Sequence, residues 1–365
     1  MQATGKIFCT GTMRTGSSLV GNMLSVHPDI QVFAEKVHFF RFVYGRYDPL
    51  TPASIERALH HIRLRWRYRF SLDFDVEPIL AAMVKRGPSY AALYDEIMRS
   101  LGARAGRPIW AENVAFHWRD IPTFVSMFED SKAIHVYRDL RGVLASWRKM
   151  TFAGGNLYLN AIFNWIDSIN HMVRFRQSLP ADRYLPVRFE DVHADPRGTC
   201  QRICGFLNIE FQEVMVQPER WEALFNSDFV GANVSSYTGE KVYGFDPARA
   251  GKWRDVLERW EIALAEFLAY GQLKAGGYEP TLTTYDADEM RAGFAKLVGN
   301  PFLFEHLQVF QATGEGNNRF PTDPTEARSW AAPDGFGRFS DTPAYQRYQD
   351  DLEDVERRLK AKYPG

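Results

Sequence analysis

Apolar positions change period several times along the chain, and each change marks an element. Residues 7–10, Ile-Phe-Cys-Thr, are a continuous run short enough for a buried strand. From Leu19 the apolar positions Val20, Met23 and Leu24 fall at helical spacing, and Pro28 stops that helix. Residues 30–33 predict a second short strand. Segment 36–108 then carries aromatic and basic residues at helical periods, and 108–113 reads as the end of a loop feeding a site. A helix over 121–128 leads to a strong strand signal at 131–137, with a helix opening at Leu140. A helix over 157–179, a strand over 183–189 and a helix after Pro196 follow. Residues 226–251 have loop composition. Residues 256–273 predict one helix with Leu257, Trp260, Leu264, Phe267 and Leu268 on one side. Three separated strand–helix units predict an α/β fold with a doubly wound parallel sheet flanked by helices. The expected organisation is an α/β domain over 1–276 with a helical insertion at about 36–108. A C-terminal extension, 277–365, packs on that core. It holds a helix near 288–298, a polar stretch over 313–342 and a charged helix over 344–361.

The junction after the first strand carries the chemistry. Gly11-Thr12-Met13-Arg14-Thr15-Gly16-Ser17-Ser18 lies between strand and helix. A strand that runs through such a loop into a helix N-terminus gathers free N–H groups and the positive end of the helix dipole, which suits a phosphate. The glycines fit the G-x-x-x-x-G-K-[ST] spacing of a P-loop, but Ser17 stands at the lysine position. Arg14 is the nearby cation. The start of the fold is therefore P-loop-like without the signature of an ATP or GTP hydrolase. A second charged position, Arg138-Asp139, follows the 131–137 strand, and the carboxyl ends of parallel strands are where α/β sheets bind ligands.

Composition narrows the class. The chain has 365 residues and a formal net charge of -1, so nothing draws it as a whole to nucleic acid or anionic lipid. Three cysteines make no disulfide framework and no metal cluster; the default for Cys9, Cys200 and Cys204 is reduced core. No run is apolar enough to span a membrane. The N-terminus enters the first strand within a few residues, so a cytoplasmic location is expected. A chain with its leader removed would read the same. The basic run Arg57, His60, His61, Arg63, Arg65, Arg67, Arg69 fits a solvated helix face or an acidic acceptor equally well.

Over residues 7–273 the chain resembles the sulfotransferases that use 3'-phosphoadenosine 5'-phosphosulfate (PAPS), within them the branch of tyrosylprotein and many bacterial sulfotransferases. The resemblance rests on Arg14-Thr15-Gly16-Ser17-Ser18, on Arg138 with Ser146 eight residues later, and on Gly251-Lys252-Trp253. It implies that Arg14, Thr15, Gly16, Ser17 and Ser18 bind the 5'-phosphosulfate and that Arg138 and Ser146 bind the 3'-phosphate. Gly251, Lys252 and Trp253 belong to a loop over the nucleotide and help bind it, Arg249 and Lys252 at the 3'-phosphate, with Trp253 packed on the helix or the nucleotide loop. Val187-Arg188-Phe189-Glu190-Asp191 also looks familial and reads as structural, with Arg188 and Glu190 bracing the sheet edge. The resemblance further implies a general base at Glu35, which follows His27-Pro28 at the branch's spacing, with His117 and His38 in reserve. The expected Glu35 pKa is raised by partial burial, against the pull of Arg14. Where relatives carry a lysine this chain has Asn113, and Arg14 or Lys36 is left to supply the charge. The activity implied is PAPS-dependent sulfuryl transfer, with no metal required, to a hydroxyl of a small molecule, a glycan or a peptide tyrosine. Two other classes stay open: a P-loop kinase or nucleotide phosphotransferase, and a non-catalytic nucleotide-binding protein.

Overall fold

The computed structural model describes residues 5–102, 106–149, 155–224, 244–320, 323, 325–330 and 338–364. Its centre is one parallel sheet of five strands: β1 (Gly5–Gly11), β2 (Ile30–Ala34), β3 (Ile109–Ala115), β4 (Ser131–Tyr137) and β5 (Tyr184–Arg188). Their order is β2-β3-β1-β4-β5. Parallel neighbours need crossovers, and helices supply them. After β1, α1 (Ser17–Ser25) carries the chain to the far edge. The insertion α2 (Phe39–Phe42), α3 (Pro52–Phe70), α4 (Val76–Arg86) and α5 (Tyr90–Gly102) returns it to β3. Next come α6 (Ile121–Met127), α7 (Leu140–Arg148), α8 (Asn160–Ser178), α9 (Phe189–Ala194), α10 (Pro196–Leu207) and α11 (Pro218–Leu224). The sheet is covered on both faces, which is why its strands read as apolar runs rather than alternations. Phe8 faces the larger core with Phe33 and Trp110, while Ile7 and Cys9 face a second core with Val32, Ile134 and Val136. All three cysteines are buried and free.

β3 is the main departure from the sequence reading, which made 108–113 the end of a loop. All seven residues are buried and pair with β1, from Gly5–Ile109 to Gly11–Ala115, and residues 109–113 pair with β2 on the other side as well. Glu112 and Asn113 broke the apolar pattern, and distant groups satisfy both. Glu112 accepts from the Tyr94 hydroxyl and from Phe39 N–H at 3.4 Å. Asn113 turns to the opposite face, where its Nδ2 donates to Ser17 O at 3.1 Å.

The region read as one helix over 256–273 divides into a turn at Lys252–Asp255, α12 (Arg259–Leu268) and α13 (Tyr270–Ala275). A Glu258–Glu261 capping box fixes the start of α12. Much of the expected 226–251 loop lies outside the described residues. The extension holds α14 (Ala287–Val298), α15 (Pro301–Thr313), which the pattern did not reveal, and α16 (Pro343–Lys362). α16 docks on α3 through Leu64, Val355 and Leu359. This docking explains much of the basic run. Arg57 and His61 both meet Glu356, at 3.1 and 2.9 Å, and Arg63 and Arg67 meet Asp73. Arg65 points inward instead, with its guanidinium 4.1 Å over the Phe42 ring. Among the described residues no helix is long and apolar enough to cross a membrane.

Candidate active site

The chain leaves β1 toward one edge of the sheet and returns to build β4 on the other side, so a crevice opens where the carboxyl ends of β1 and β4 diverge. Both expected anion sites lie on it. A Cβ at Gly11 would run into Val136 O, and one at Gly16, with φ 96°, into the Phe189 ring. Thr15 folds the loop by donating its Oγ1–H to Thr12 O at 2.7 Å. α1 then begins at Ser17 without a side-chain cap, so its positive end faces the crevice through backbone alone. Ser17 is buried and Ser18 exposed.

The two sites meet. Arg14 donates from Nε to Ser146 Oγ at 3.0 Å. Arg138 reaches Arg14 O at 3.4 Å and Arg249 O at 3.3 Å, and its guanidinium lies 4.2 Å over Phe189. Phe189 is thus a wedge that touches the loop glycine on one side and carries Arg138 on the other. Arg138 does not pair with its neighbour Asp139, which is held by Arg141 at 2.6 Å. Glu190 accepts from Asp139 N–H and from the Tyr278 hydroxyl, and Arg188 lies 4.3 Å over the Tyr278 ring. These contacts tie the sheet edge to the start of the extension.

Gly251, Lys252 and Trp253 form the turn beyond Arg249. Lys252 is exposed, 3.6 Å from Asp246. Trp253 is buried between the guanidiniums of Arg141 and Arg254, at 4.4 and 4.3 Å, so it fixes the turn by packing.

Glu35 stands at the carboxyl end of β2. Its Oε1 accepts Ala115 N–H at 2.8 Å, and Ala115 pairs with Gly11, so the carboxylate is held at the strand beside the loop. Its Oε2 lies 2.9 Å from His38 Nε2, and the side chain is 49% exposed. The expectation of a raised pKa is overturned. Burial does push it up, but the His38 ring, the Ala115 N–H and the Arg41 charge outweigh that and hold the carboxyl at about 2. His38 is buried, and burial drives its pKa down to about 3, helped by Arg41 and Arg65 and opposed by Glu35. The ring is therefore neutral at ordinary pH and acts on Glu35 as a hydrogen-bond partner. His117 is buried behind it, with Nε2 3.3 Å from His38 Nδ1 and Nδ1 2.7 Å from Asp120 Oδ2. Asn113, at the position of the familial lysine, faces α1, and Lys36 stacks 4.3 Å over Phe70.

Backbone strain concentrates here. Arg14, Glu35, His38 and Phe116 all have left-handed φ, between 51° and 74°, at a cost of order 1–3 kcal/mol each. Cores do not require that; a site that must aim several side chains at one crevice does. Arg41, Asp120 and Phe320 belong to this arrangement and were not singled out from the sequence; Phe116 and Phe189 join them, the latter read above only as part of a structural motif. Asp120 alone had a local signal, three residues from His117. Phe320, from the extension, packs against Phe116 with ring centroids 4.0 Å apart and planes tilted by 48°, and lies under Arg41 at 5.6 Å.

Residues 6–213 match the profile of the sulfotransferase family. A Caenorhabditis briggsae protein named for protein-tyrosine sulfotransferase activity is 24% identical over 232 residues, 62% of this chain and 71% of that one. Among solved structures, the sulfotransferase domain from the curacin biosynthetic pathway is 19% identical, covering 76% of this chain and 99% of that one with a TM-score of 0.49. A mouse sulfotransferase complexed with PAP is 10% identical, covering 76% and 90%, with a TM-score of 0.42.

Proposed function

The chain belongs to the sulfotransferase family, and from that premise we propose that it transfers a sulfuryl group from PAPS to an acceptor hydroxyl, with Glu35 as general base. One observation carries the reading: Arg14 and Arg138, each expected at a different anionic end of one nucleotide, border the same crevice and are joined through Ser146 and the Arg14 carbonyl. The residues fit a doubly anionic donor. The helix end beside them is uncapped, and the Arg138 guanidinium reaches both the Arg14 and the Arg249 backbone there. When bound, PAPS supplies the activated sulfuryl group.

The chain supplies the rest. Arg14 and the first N–H groups of α1 hold the 5' anion, where negative charge grows as the leaving oxygen departs. Arg138 and Ser146, with Arg249, fix the other end and turn binding energy into alignment. Glu35, ionised at neutral pH, takes the acceptor's proton, a role worth about 10² to 10⁴ in rate. The acceptor is a hydroxyl of a small molecule, a glycan or a peptide tyrosine.

Calorimetry and turnover test this together. 3',5'-Adenosine bisphosphate should bind without Mg²⁺ and far more tightly than ATP. Glu35→Gln should keep that binding while kcat drops by about 10² or more. Preferential binding of Mg²⁺–ATP would sink the donor assignment, and a fully active Glu35→Gln would sink the base.

A further inference from the structure

Behind Glu35 runs a line of titratable groups that base catalysis by one carboxylate does not need. The contacts are Glu35 Oε2 to His38 Nε2 at 2.9 Å, His38 Nδ1 to His117 Nε2 at 3.3 Å, and His117 Nδ1 to Asp120 Oδ2 at 2.7 Å. Both ends are wet and the middle is dry. The carboxylate side chains are 49% and 33% exposed, the imidazoles 7% and 4%. Left-handed backbone at Glu35 and His38 turns the first two inward, and His117 is anchored to β1 by its N–H on Thr10 Oγ1 at 3.1 Å.

We propose that His38, His117 and Asp120 form a proton relay that carries the acceptor's proton from Glu35 to solvent; this rests on Glu35 being the base. The argument is a proton count. Three contacts in series need three protons if all are to be hydrogen bonds, and two neutral imidazoles bring only two. One contact is therefore always without a proton. In the reactive arrangement the empty contact is the first. His117 Nδ1–H is donated to Asp120, His38 Nδ1–H to His117 Nε2, and the His38 Nε2 lone pair faces Glu35. The hydroxyl proton joins Glu35 Oε2 and passes to His38 Nε2. The Nδ1 proton of His38 moves to His117 Nε2, that of His117 moves to Asp120, and Asp120 releases it to water. One proton enters and one leaves, no charge stays on the buried rings, and both rings end in the other tautomer. Flow in the opposite direction resets them once the product has left and water reaches Glu35.

The surrounding charges favour transit over storage. Arg41 of α2 acts on both rings and Arg65 of α3 on His38, and with burial they keep the imidazoles neutral. Arg69 of α3 faces Glu35, as does Glu112 of β3, and Asp323 faces Arg41. A plain core histidine pair would need neither exposed carboxylate.

The decisive variants are His117→Gln, Asp120→Asn and Asp120→Glu. Turnover of PAPS with 4-methylphenol, which keeps its proton at neutral pH, is followed by release of 3',5'-adenosine bisphosphate across pH. The ¹⁵N resonances of the His38 ring are read in the same proteins without substrate. His117→Gln and Asp120→Asn should lower kcat about tenfold or more with donor affinity unchanged, and Asp120→Glu should restore most of it. Asp120→Asn should also shift the His38 ring nitrogens, although His117 stands between them. Wild-type kcat in both broken-relay variants, or His38 resonances blind to Asp120→Asn, overturns the relay. If wild type does not turn over, the functional reading is what fails, and the resonances still decide whether the line is coupled. A variant that does not fold leaves the wild-type titration: His38 and His117 must respond together to pH, and independent responses overturn the proposal.

Discussion

The two sides of the crevice are built by opposite rules. On the loop side the chemistry is local: Gly11 to Ser18 form one continuous turn, and Arg138 and Ser146 sit at the end of β4 and on the helix that follows it. The anion recognition proposed there would use backbone N–H groups, a helix end and guanidinium charges. On the Glu35 side the chemistry is assembled from a distance. α2 and α3 supply Arg41 and Arg65, and the turn after β3 supplies His117 and Asp120. Asn318, donating to Phe116 O at 2.9 Å, comes from 202 positions further along. One half carries fixed charge on a rigid frame. The other half titrates, and its settings depend on packing.

The difference breaks most visibly at Gly16. An alanine there keeps a left-handed φ at a cost of about 1–3 kcal/mol, and its Cβ meets the Phe189 ring, which cannot yield without moving Arg138. Gly16→Ala should therefore weaken binding of 3',5'-adenosine bisphosphate by more than about tenfold, roughly 1.4 kcal/mol, on top of a lowered melting temperature. Trimming the ring in Gly16→Ala/Phe189→Leu should recover part of the stability but not the affinity, because Arg138 loses its seat. If donor affinity in Gly16→Ala stays at the wild-type value, the coupling of the two anion sites through Phe189 is wrong.

The next effect belongs to the titrating half. Burial raises the Glu112 carboxyl to about 7, against hydrogen bonds from Tyr94, His38 and Phe39 that lower it. The folded chain thus holds this proton more tightly than the unfolded chain, whose glutamates titrate near 4.3. That contribution is complete below the unfolded pKa, declines as pH rises through the folded value, and is gone above it. It amounts to at most roughly 4 kcal/mol. Glu112→Gln should remove this decline, so the stability difference between variant and wild type should grow in the variant's favour from pH 5 to pH 8 in urea titrations. An equal difference at both pH values would mean that Glu112 is ionised throughout.

Legibility followed the same divide. The loop and the 131–137 strand were readable because each is set by residues within a few positions, where period and glycine spacing carry the information; the Arg138–Ser146 pair came from the family resemblance. β3 was not, since a strand holding Glu112 and Asn113 makes sense only once Tyr94, Phe39 and Ser17 are known to satisfy them. Glu35 was singled out through the family resemblance, but the sign of its pKa shift was not legible, because His38, Arg41 and the Ala115 N–H decide it. α15 and the role of Phe320 were illegible because the extension gains order from docking on the core rather than from its own pattern.

The smallest expected effect is the one that tests whether the extension belongs to the acceptor side. Phe320 packs on Phe116 and lies under Arg41, whose charge helps hold Glu35 ionised. An aromatic pair of this kind contributes about 0.5–1.5 kcal/mol beyond its buried area. If residues 317–320 wall the acceptor, Phe320→Ala should raise the acceptor KM by roughly two- to tenfold. Donor affinity should not change, since the ring meets Phe116 and Arg41 rather than the anion-binding loop, and kcat should change less than KM because Glu35 keeps its Ala115 and His38 partners. Phe320→Leu, which restores most of the apolar volume, should fall between alanine and wild type. The opposite pattern, an unchanged acceptor KM with a lowered melting temperature, would assign the contact to docking of the extension alone. The acceptor's boundary would then have to be drawn from α2, α3 and Phe116 without it.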